Sequence, residues 1–101
     1  MEKSFILINT FTIVAENQER LIALLTKATS ETVRHIDGFI SATLHRSIDG
    51  TKVTMYAKWE NREKYEAMRK NSKASPFLEE ALQFAKFEPG SYEIVEEFTK
   101  E

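Results

Sequence analysis

Trp59, Tyr65 and Asn9 are the residues whose types and spacing point most directly to chemistry. A strand-like run, Val53-Thr54-Met55-Tyr56-Ala57-Lys58, ends at the only tryptophan, and an acidic, helix-forming segment starts at once. Trp59 therefore falls at a strand-to-helix junction. Tyr65 follows early enough in the helix to lie over the same end of a sheet. A large aromatic at a strand end, roofed by a phenol, makes one wall of a pocket for a flat organic molecule. Asn9 interrupts an apolar strand and alternates with Leu7 and Phe11. An amide on an apolar face must find hydrogen-bond partners. It is either a satisfied structural amide or a donor that orients a ligand oxygen. Plain core is the simpler reading of Trp59, and helix-face packing that of Tyr65. The three residues gain functional weight only together.

The histidines carry less. His35 lies near the end of a helical pattern, where a cation is favoured, and reads as a cap. His45 alternates with Thr43 and Ser47 on a half-polar strand face. It is read as a solvent- or dimer-facing residue, or as a pocket acid-base or hydrogen-bonding group. Two histidines on separate elements, without clustered carboxylates, do not have the spacing of a metal site.

Other chemistries lack their residues. No serine stands in a G-x-S-x-G elbow. With 3 glycines and no G-x-G, neither a phosphate loop nor a dinucleotide fingerprint can form. The 0 cysteines exclude disulfides, zinc-thiolate sites and thiol nucleophiles, and fit a reducing cytoplasm. Lys and Arg number 14 against 16 Asp and Glu, so the net charge of -2 gives no reason to expect nucleic acid or an anionic membrane as partner. Glu79-Glu80 and Glu96-Glu97 read as solvated faces. No apolar run is long enough to span a bilayer, and Met1-Glu2-Lys3-Ser4 opens no signal peptide.

The elements that must position these residues follow from periodicity. At 101 residues the chain is read as one domain with a thin core. Phe5 to Ile13 is a first strand, apolar on both faces and so in need of cover on both. Glu16 to about Ile36 is a helix, with Leu21, Leu24, Leu25, Ala28, Thr32 and Ile36 on its apolar stripe. Asp37-Gly38 stops it. Phe39 to Ile48 is a second strand, with Ile40, Ala42, Leu44 and Ile48 on one face. Asp49-Gly50 is a two-residue hairpin signal leading to a third strand, Lys52 to Trp59. A second helix starts near Asn61 and runs through Tyr65 and Met68 until Asn71-Ser72-Lys73 breaks it. Ser75 caps a third, short helix from Pro76 to Phe84 or Ala85. After a Pro89-Gly90 turn, Ser91 to Phe98 is the last strand. The β-α-β-β-α-β order, with an extra short helix before the last strand, predicts a ferredoxin-like α+β sandwich with one antiparallel sheet. Its bare sheet face predicts a homodimer.

The chain resembles the antibiotic-biosynthesis monooxygenase (ABM) domain family over about residues 5 to 98. The resemblance rests on Ile8-Asn9-Thr10-Phe11-Thr12-Ile13, on Gly38-Phe39-Ile40-Ser41-Ala42-Thr43-Leu44-His45-Arg46, on the Asp49-Gly50 hairpin, on Tyr56-Ala57-Lys58-Trp59-Glu60-Asn61-Arg62-Glu63-Lys64-Tyr65, and on Phe87-Glu88-Pro89-Gly90-Ser91-Tyr92-Glu93-Ile94-Val95. It implies a dimeric α/β barrel with a pocket between sheet and helices. It also implies oxidation of aromatic, anthrone- or quinol-type molecules by molecular oxygen as co-substrate, with no metal, flavin or other cofactor. Trp59 and Tyr65 match the family's pocket tryptophan and helix tyrosine. Asn9 joins them as a catalytic candidate, and Met55, Phe11 and His45 are the expected substrate pocket. Met55 stands where the quinone-forming members carry an asparagine, four residues before the tryptophan. A haem-degrading branch of the superfamily shares Asn9 and Trp59, but Arg69 replaces its histidine and is no ordinary iron ligand. The leading reading is a cofactor-independent monooxygenase. The alternatives are a non-catalytic dimeric barrel that binds a small apolar ligand, favoured by Met55, and a haem-degrading enzyme.

Overall fold

The structure, a computed structural model, describes residues 4–70 and 75–101. The elements are β1 (Phe5–Thr12), α1 (Gln18–Glu31), β2 (Phe39–Arg46), β3 (Lys52–Trp59), α2 (Arg62–Arg69), α3 (Ser75–Leu82), β4 (Lys86–Glu88) and β5 (Ser91–Tyr92). The sheet runs β2-β3-β1-β4, β5 also pairs with β1, and every ladder is antiparallel. This is the expected ferredoxin-like order, with the two longest ladders, β1·β3 and β2·β3, at its centre.

Alternation decides what each strand shows the helices. Leu7, Asn9 and Phe11 of β1 share a face with Val53, Met55, Ala57 and Trp59 of β3. The apolar members of this face pack in two clusters. Phe11 and Val53 join Leu21 and Leu25 of α1 and Ala81 of α3. Leu7, Ala57 and Trp59 form the other, with Val33, Ile36, Phe39, Tyr65 and Met68 around them. The core is thus parted at the level of Asn9 and Met55.

Gln18 fixes the start of α1. Its buried Nε2 donates to the carbonyls of Ser47 and Lys52, both at 3.1 Å, and so ties the helix to the hairpin. The helix expected from Glu16 to Ile36 is instead three pieces. A 3-10 turn at Ala15–Asn17 precedes α1, and another at Val33–His35 follows it. The β-branched pair Thr32-Val33 is a weak helix former, and the break lets both Val33 and Ile36 reach the second cluster. His35 is the expected cap: its Nε2 donates to the Ser30 carbonyl at 3.0 Å.

The β2–β3 connection is a hairpin, as predicted, but not a two-residue one. Residues 48–51 form the loop, and the Asp49 carboxylate accepts from Ser47 Oγ and from Thr51 N and Oγ1. β2 ends at Arg46, so Ile48 lies in the loop, fully exposed. A bulge between Phe39 and Ser41 throws Ile40 out of register and leaves it exposed as well. Of the β2 residues expected on one face, Ala42 and Leu44 pack against the core and Ile40 and Ile48 do not.

The last strand is the main departure. Ser91 to Phe98 was the expectation, yet only Ser91–Tyr92 is strand, and Lys86–Glu88 is a strand the sequence did not announce. Ile6 pairs with Tyr92, so Glu93 falls opposite Phe5, the first residue of β1. A strand continued to Phe98 would run past the end of its partner. Ile94, Val95 and Phe98 stay exposed. β4 is held by Phe87, whose ring stacks on Phe11 at 4.8 Å. The third helix ends at Leu82 rather than at Phe84 or Ala85. The expected break at Asn71-Ser72-Lys73 and the capping side chain of Ser75 lie outside the described residues.

Candidate functional site

A cavity of about 500 Å³ opens between the sheet and the helices at the gap between the two clusters. It is lined by Asn9, Met55, Trp59 and Tyr65 together, with Phe11 on the side of the first cluster. The ladder explains the convergence. Asn9 pairs directly with Met55 in the β1–β3 register, and Trp59 follows Met55 on the same face of β3. Five of the six residues expected at the site therefore meet in one space.

His45 is the sixth, and the structure removes it. It pairs with Thr54, on the sheet face turned away from the helices, and its Nδ1 donates to the Thr54 carbonyl at 3.3 Å. Its half-polar neighbours had allowed either placement, and the strand's alternation selects the outer one.

Trp59 is held from two sides. Its ring is 1 % exposed, edge-on to Phe39 at 5.5 Å and to Tyr65 at 6.1 Å. Tyr65 also packs on Phe5, with ring centroids 5.4 Å apart. The junction that sets these rings is short. Asn61 Oδ1 accepts the amide of Lys64 at 2.9 Å and caps α2. Gly38, at φ +93°, takes the Glu60 amide on its carbonyl at 2.8 Å. Lys64 passes over the Cα of Gly38 and pairs with Asp37. The turn leading into β2, the end of β3 and the start of α2 are thereby locked together.

Two polar features stand out in this apolar space. The Asn9 side-chain oxygen is fully buried and has no hydrogen-bond partner among the described residues. Such a group costs stability unless something else bonds to it. The Tyr65 phenol is pushed above its ordinary value by burial; Arg69 opposes that shift and Glu66 adds to it. At neutral pH Tyr65 is a proton-bearing phenol, suited to donating a hydrogen bond rather than to removing a proton.

Sequence reading missed the rim. Arg62, Glu66 and Arg69 also line the cavity, and Met68 and Val33 close it. The signal was present, since Arg62, Tyr65, Glu66 and Arg69 recur at three- and four-residue steps and so share one helix face. A second cavity of about 450 Å³ lies between α1 and the edge strand β2 and shares Phe39, Ala42 and Met55 with the first. Asn9, Trp59 and Tyr65 line only the first. Among the described residues no group of three or more His, Asp or Glu is placed to hold a metal ion.

The family profile described as antibiotic biosynthesis monooxygenase matches residues 4–80. The chain belongs to this family. It is 32% identical over 94 residues to the tetracenomycin-F1 monooxygenase of Streptomyces glaucescens, covering 93% of this chain and 84% of that protein. It is 28% identical to a monooxygenase of Streptomyces coelicolor, from the gene ActVA-Orf6, solved with nanaomycin D. The match to that structure has a TM-score of 0.82 and covers 99% of this chain and 95% of that one. SnoaB of Streptomyces nogalater, a cofactor-independent oxygenase, shares the fold at a TM-score of 0.78 and 16% identity over 97% of this chain and 99% of that one. The antibiotic biosynthesis monooxygenase fold and the monooxygenase class of this chain, an oxidoreductase, stand on these matches together. No helix among the described residues is long and apolar enough to cross a membrane.

Proposed function

We propose that the chain oxidises a flat aromatic phenol of anthrone or quinol type with molecular oxygen, without metal or organic cofactor, in the cavity bounded by Asn9, Trp59 and Tyr65. The observation that carries this reading is the buried Asn9 oxygen, without a partner among the described residues, in a side chain that lines an apolar space large enough for a fused-ring ligand. A substrate hydroxyl donated to Asn9 Oδ1 satisfies that atom, and the amide's other end is free to donate to a developing phenolate.

The substrate is its own reductant. Loss of its acidic proton gives a delocalised anion that passes electrons to oxygen. Converting the ring CH₂ of an anthrone to a carbonyl releases four electrons. One dioxygen takes them up, leaving one oxygen atom on carbon and the other in water. The protein has to hold the ring flat, favour its anion and exclude water. Trp59 and Phe11 supply flat apolar walls, Tyr65 donates to a ring oxygen, and Asn9 sets the register of the rings. Met55 places a thioether beside Asn9 where the quinone-forming relatives carry an amide, so Asn9 acts without a neighbouring amide.

We also propose a homodimer formed through the outer sheet face. Ile8, Thr10, Thr54 and Tyr56 alternate there with the helix-facing residues and are only half-buried in the single chain. The cysteine-free composition fits the cytoplasm as its compartment. Haem breakdown is not part of this reading, because Arg69 at the cavity rim offers iron no lone pair.

Labelled oxygen tests the chemistry. Incubating the protein with an anthrone-type phenol under isotopically labelled oxygen gas should yield a quinone carrying one labelled atom. A quinone labelled only from solvent water would contradict the proposed route.

A further inference from the structure

The oxidation proposed above begins with loss of a ring proton, and the residues assigned so far cannot accept one. An amide such as Asn9 is no base at neutral pH. Tyr65 keeps its own proton, because burial raises its phenol above the ordinary value. Arg62 and Arg69, the cationic groups that α2 turns to the cavity, carry all their protons already. The sheet, α1 and α3 bring no acid, histidine or lysine to the lining among the described residues. Glu66 remains, the only carboxylate there. It is half-buried and shares a helix face with Arg62, Tyr65 and Arg69. Its charge acts on the Tyr65 hydroxyl, so the two groups stand close together. The Arg69 guanidinium is 3.9 Å away, beyond hydrogen-bond range, and does not occupy the carboxylate. Asn9 belongs to β1 and Glu66 to α2, so the buried oxygen and the carboxylate reach the space from the sheet side and from the helix side. An anthrone has a matching polarity, since its carbonyl and its CH₂ lie on opposite edges of the middle ring.

We propose that Glu66 is the general base, removing a proton from the ring CH₂ while Asn9 holds the oxygen-bearing edge of the substrate. This rests on the cavity being the substrate site proposed above and adds the group that starts the reaction. The C–H bond breaks, its electron pair stays on the ring, and the proton moves to a Glu66 carboxylate oxygen. The ring carbon then bonds dioxygen, and the outer oxygen of the resulting peroxide takes that proton. Glu66 next removes the second proton from the same carbon. The electron pair left behind closes the carbonyl as the O–O bond breaks, and the departing hydroxide takes the proton from Glu66 and leaves as water. One carboxylate serves twice and ends as it began, with one dioxygen consumed and no reductant other than the substrate.

The test separates chemistry from binding in Glu66→Gln, which keeps the size of the side chain and removes its basicity. Glu63→Gln, on the same helix but outside the cavity lining, is the control. Anthrone binding without oxygen is read by the fluorescence of Trp59, the only tryptophan, and turnover by the quinone formed under oxygen. Glu66→Gln should bind the anthrone as the intact protein does and form quinone about 10²-fold more slowly. Deuterium at the ring CH₂ should slow this variant more than the intact protein, because proton removal then limits the rate. Glu66→Ala should regain part of its rate with added formate, a small carboxylate that fits the vacated space. Glu63→Gln should match the intact protein. Undiminished quinone formation in Glu66→Gln, or a loss that follows weaker anthrone binding and that formate does not restore, would overturn the base while leaving the cavity standing. An intact protein that neither binds nor oxidises the anthrone would overturn the substrate-site reading itself, and the base with it.

Discussion

Asn9 and Met55 stand directly opposite each other across the β1–β3 ladder, and the cavity opens over the pair. One side chain brings a buried oxygen with no partner among the described residues, and the other brings no hydrogen-bonding group able to satisfy it. The chain therefore carries an internal polar defect at the middle of its core. Such a defect is kept where an occupant repairs it.

Asn9→Leu follows from that pairing. Removing the orphan oxygen should stabilise the folded chain by about 1 kcal/mol, or roughly 4–8 °C in Tm. The same change should lower turnover about 10²-fold, the usual cost of losing one donor at a developing oxyanion. Calorimetry and oxygen uptake on one preparation check both signs. Met55→Asn should move the other way, giving Asn9 a neighbouring amide and raising the rate of quinone formation.

Trp59 bears on both fold and site. Its ring touches Phe39 and Tyr65 and is almost wholly buried, so Trp59→Ala should cost about 3–5 kcal/mol of stability as well as turnover. Trp59→Phe retains an apolar ring and separates the two roles. It should fold, and titration with an anthrone should show weaker binding through the lost flat wall. Unchanged affinity would place the ligand elsewhere.

Tyr65 gives the pH dependence. Burial raises its phenol, so the folded chain keeps the proton longer than the unfolded chain does. Stability from this group is fully present below the unfolded phenol value of about 10 and is lost as pH rises through the higher folded value. Urea midpoints measured from neutral to strongly alkaline pH should fall in that window, and Tyr65→Phe should flatten the fall. The same variant should slow quinone formation at least about tenfold at neutral pH, because the ring remains and the donated proton is gone.

Gly38 and Gly50 both have positive φ, at +93° and +84°, but their surroundings differ. A Cβ at Gly38 would overlap the Lys64 side chain near its base, whereas at Gly50 it would meet Ala15 Cβ at 3.4 Å, an ordinary contact. Gly50→Ala should cost about 1–2 kcal/mol for the left-handed backbone alone. Gly38→Ala should cost more, and it should also weaken anthrone binding by pushing α2, with Tyr65, off the end of β3. Denaturant melts of the two variants rank the costs, and binding separates the second effect.

Much of this was readable in the sequence because it depends on local signals. The order of the central strands, the turn at Gly38 into β2, the β2–β3 hairpin and the Trp59 junction follow from periodicity and turn residues, whereas the helix expected to run to Asp37-Gly38 ends at Glu31. The convergence of Asn9 with Trp59 and Tyr65 was suspected, but only the ladder register could prove it, since a one-residue slip would have turned Asn9 to the outer face. His45 shows the limit in the other direction: Thr43 and Ser47 gave its face a polar character compatible with a pocket or with solvent. The last strand was misjudged because Glu93 to Phe98 has strand-like residues, while strand pairing also needs a partner of sufficient length, and β1 begins at Phe5. The rim arginines were overlooked because charged residues on a helix read first as solvated.

Oxygen uptake by metal-free protein supplied with an anthrone-type phenol, followed through the visible spectrum of the product, tests the central claim most directly. The account predicts saturable, protein-dependent uptake with one quinone formed per oxygen consumed, and a lower rate in Asn9→Leu and Trp59→Phe. Uptake at the uncatalysed rate, or uptake that appears only after a metal or flavin is added, would contradict it.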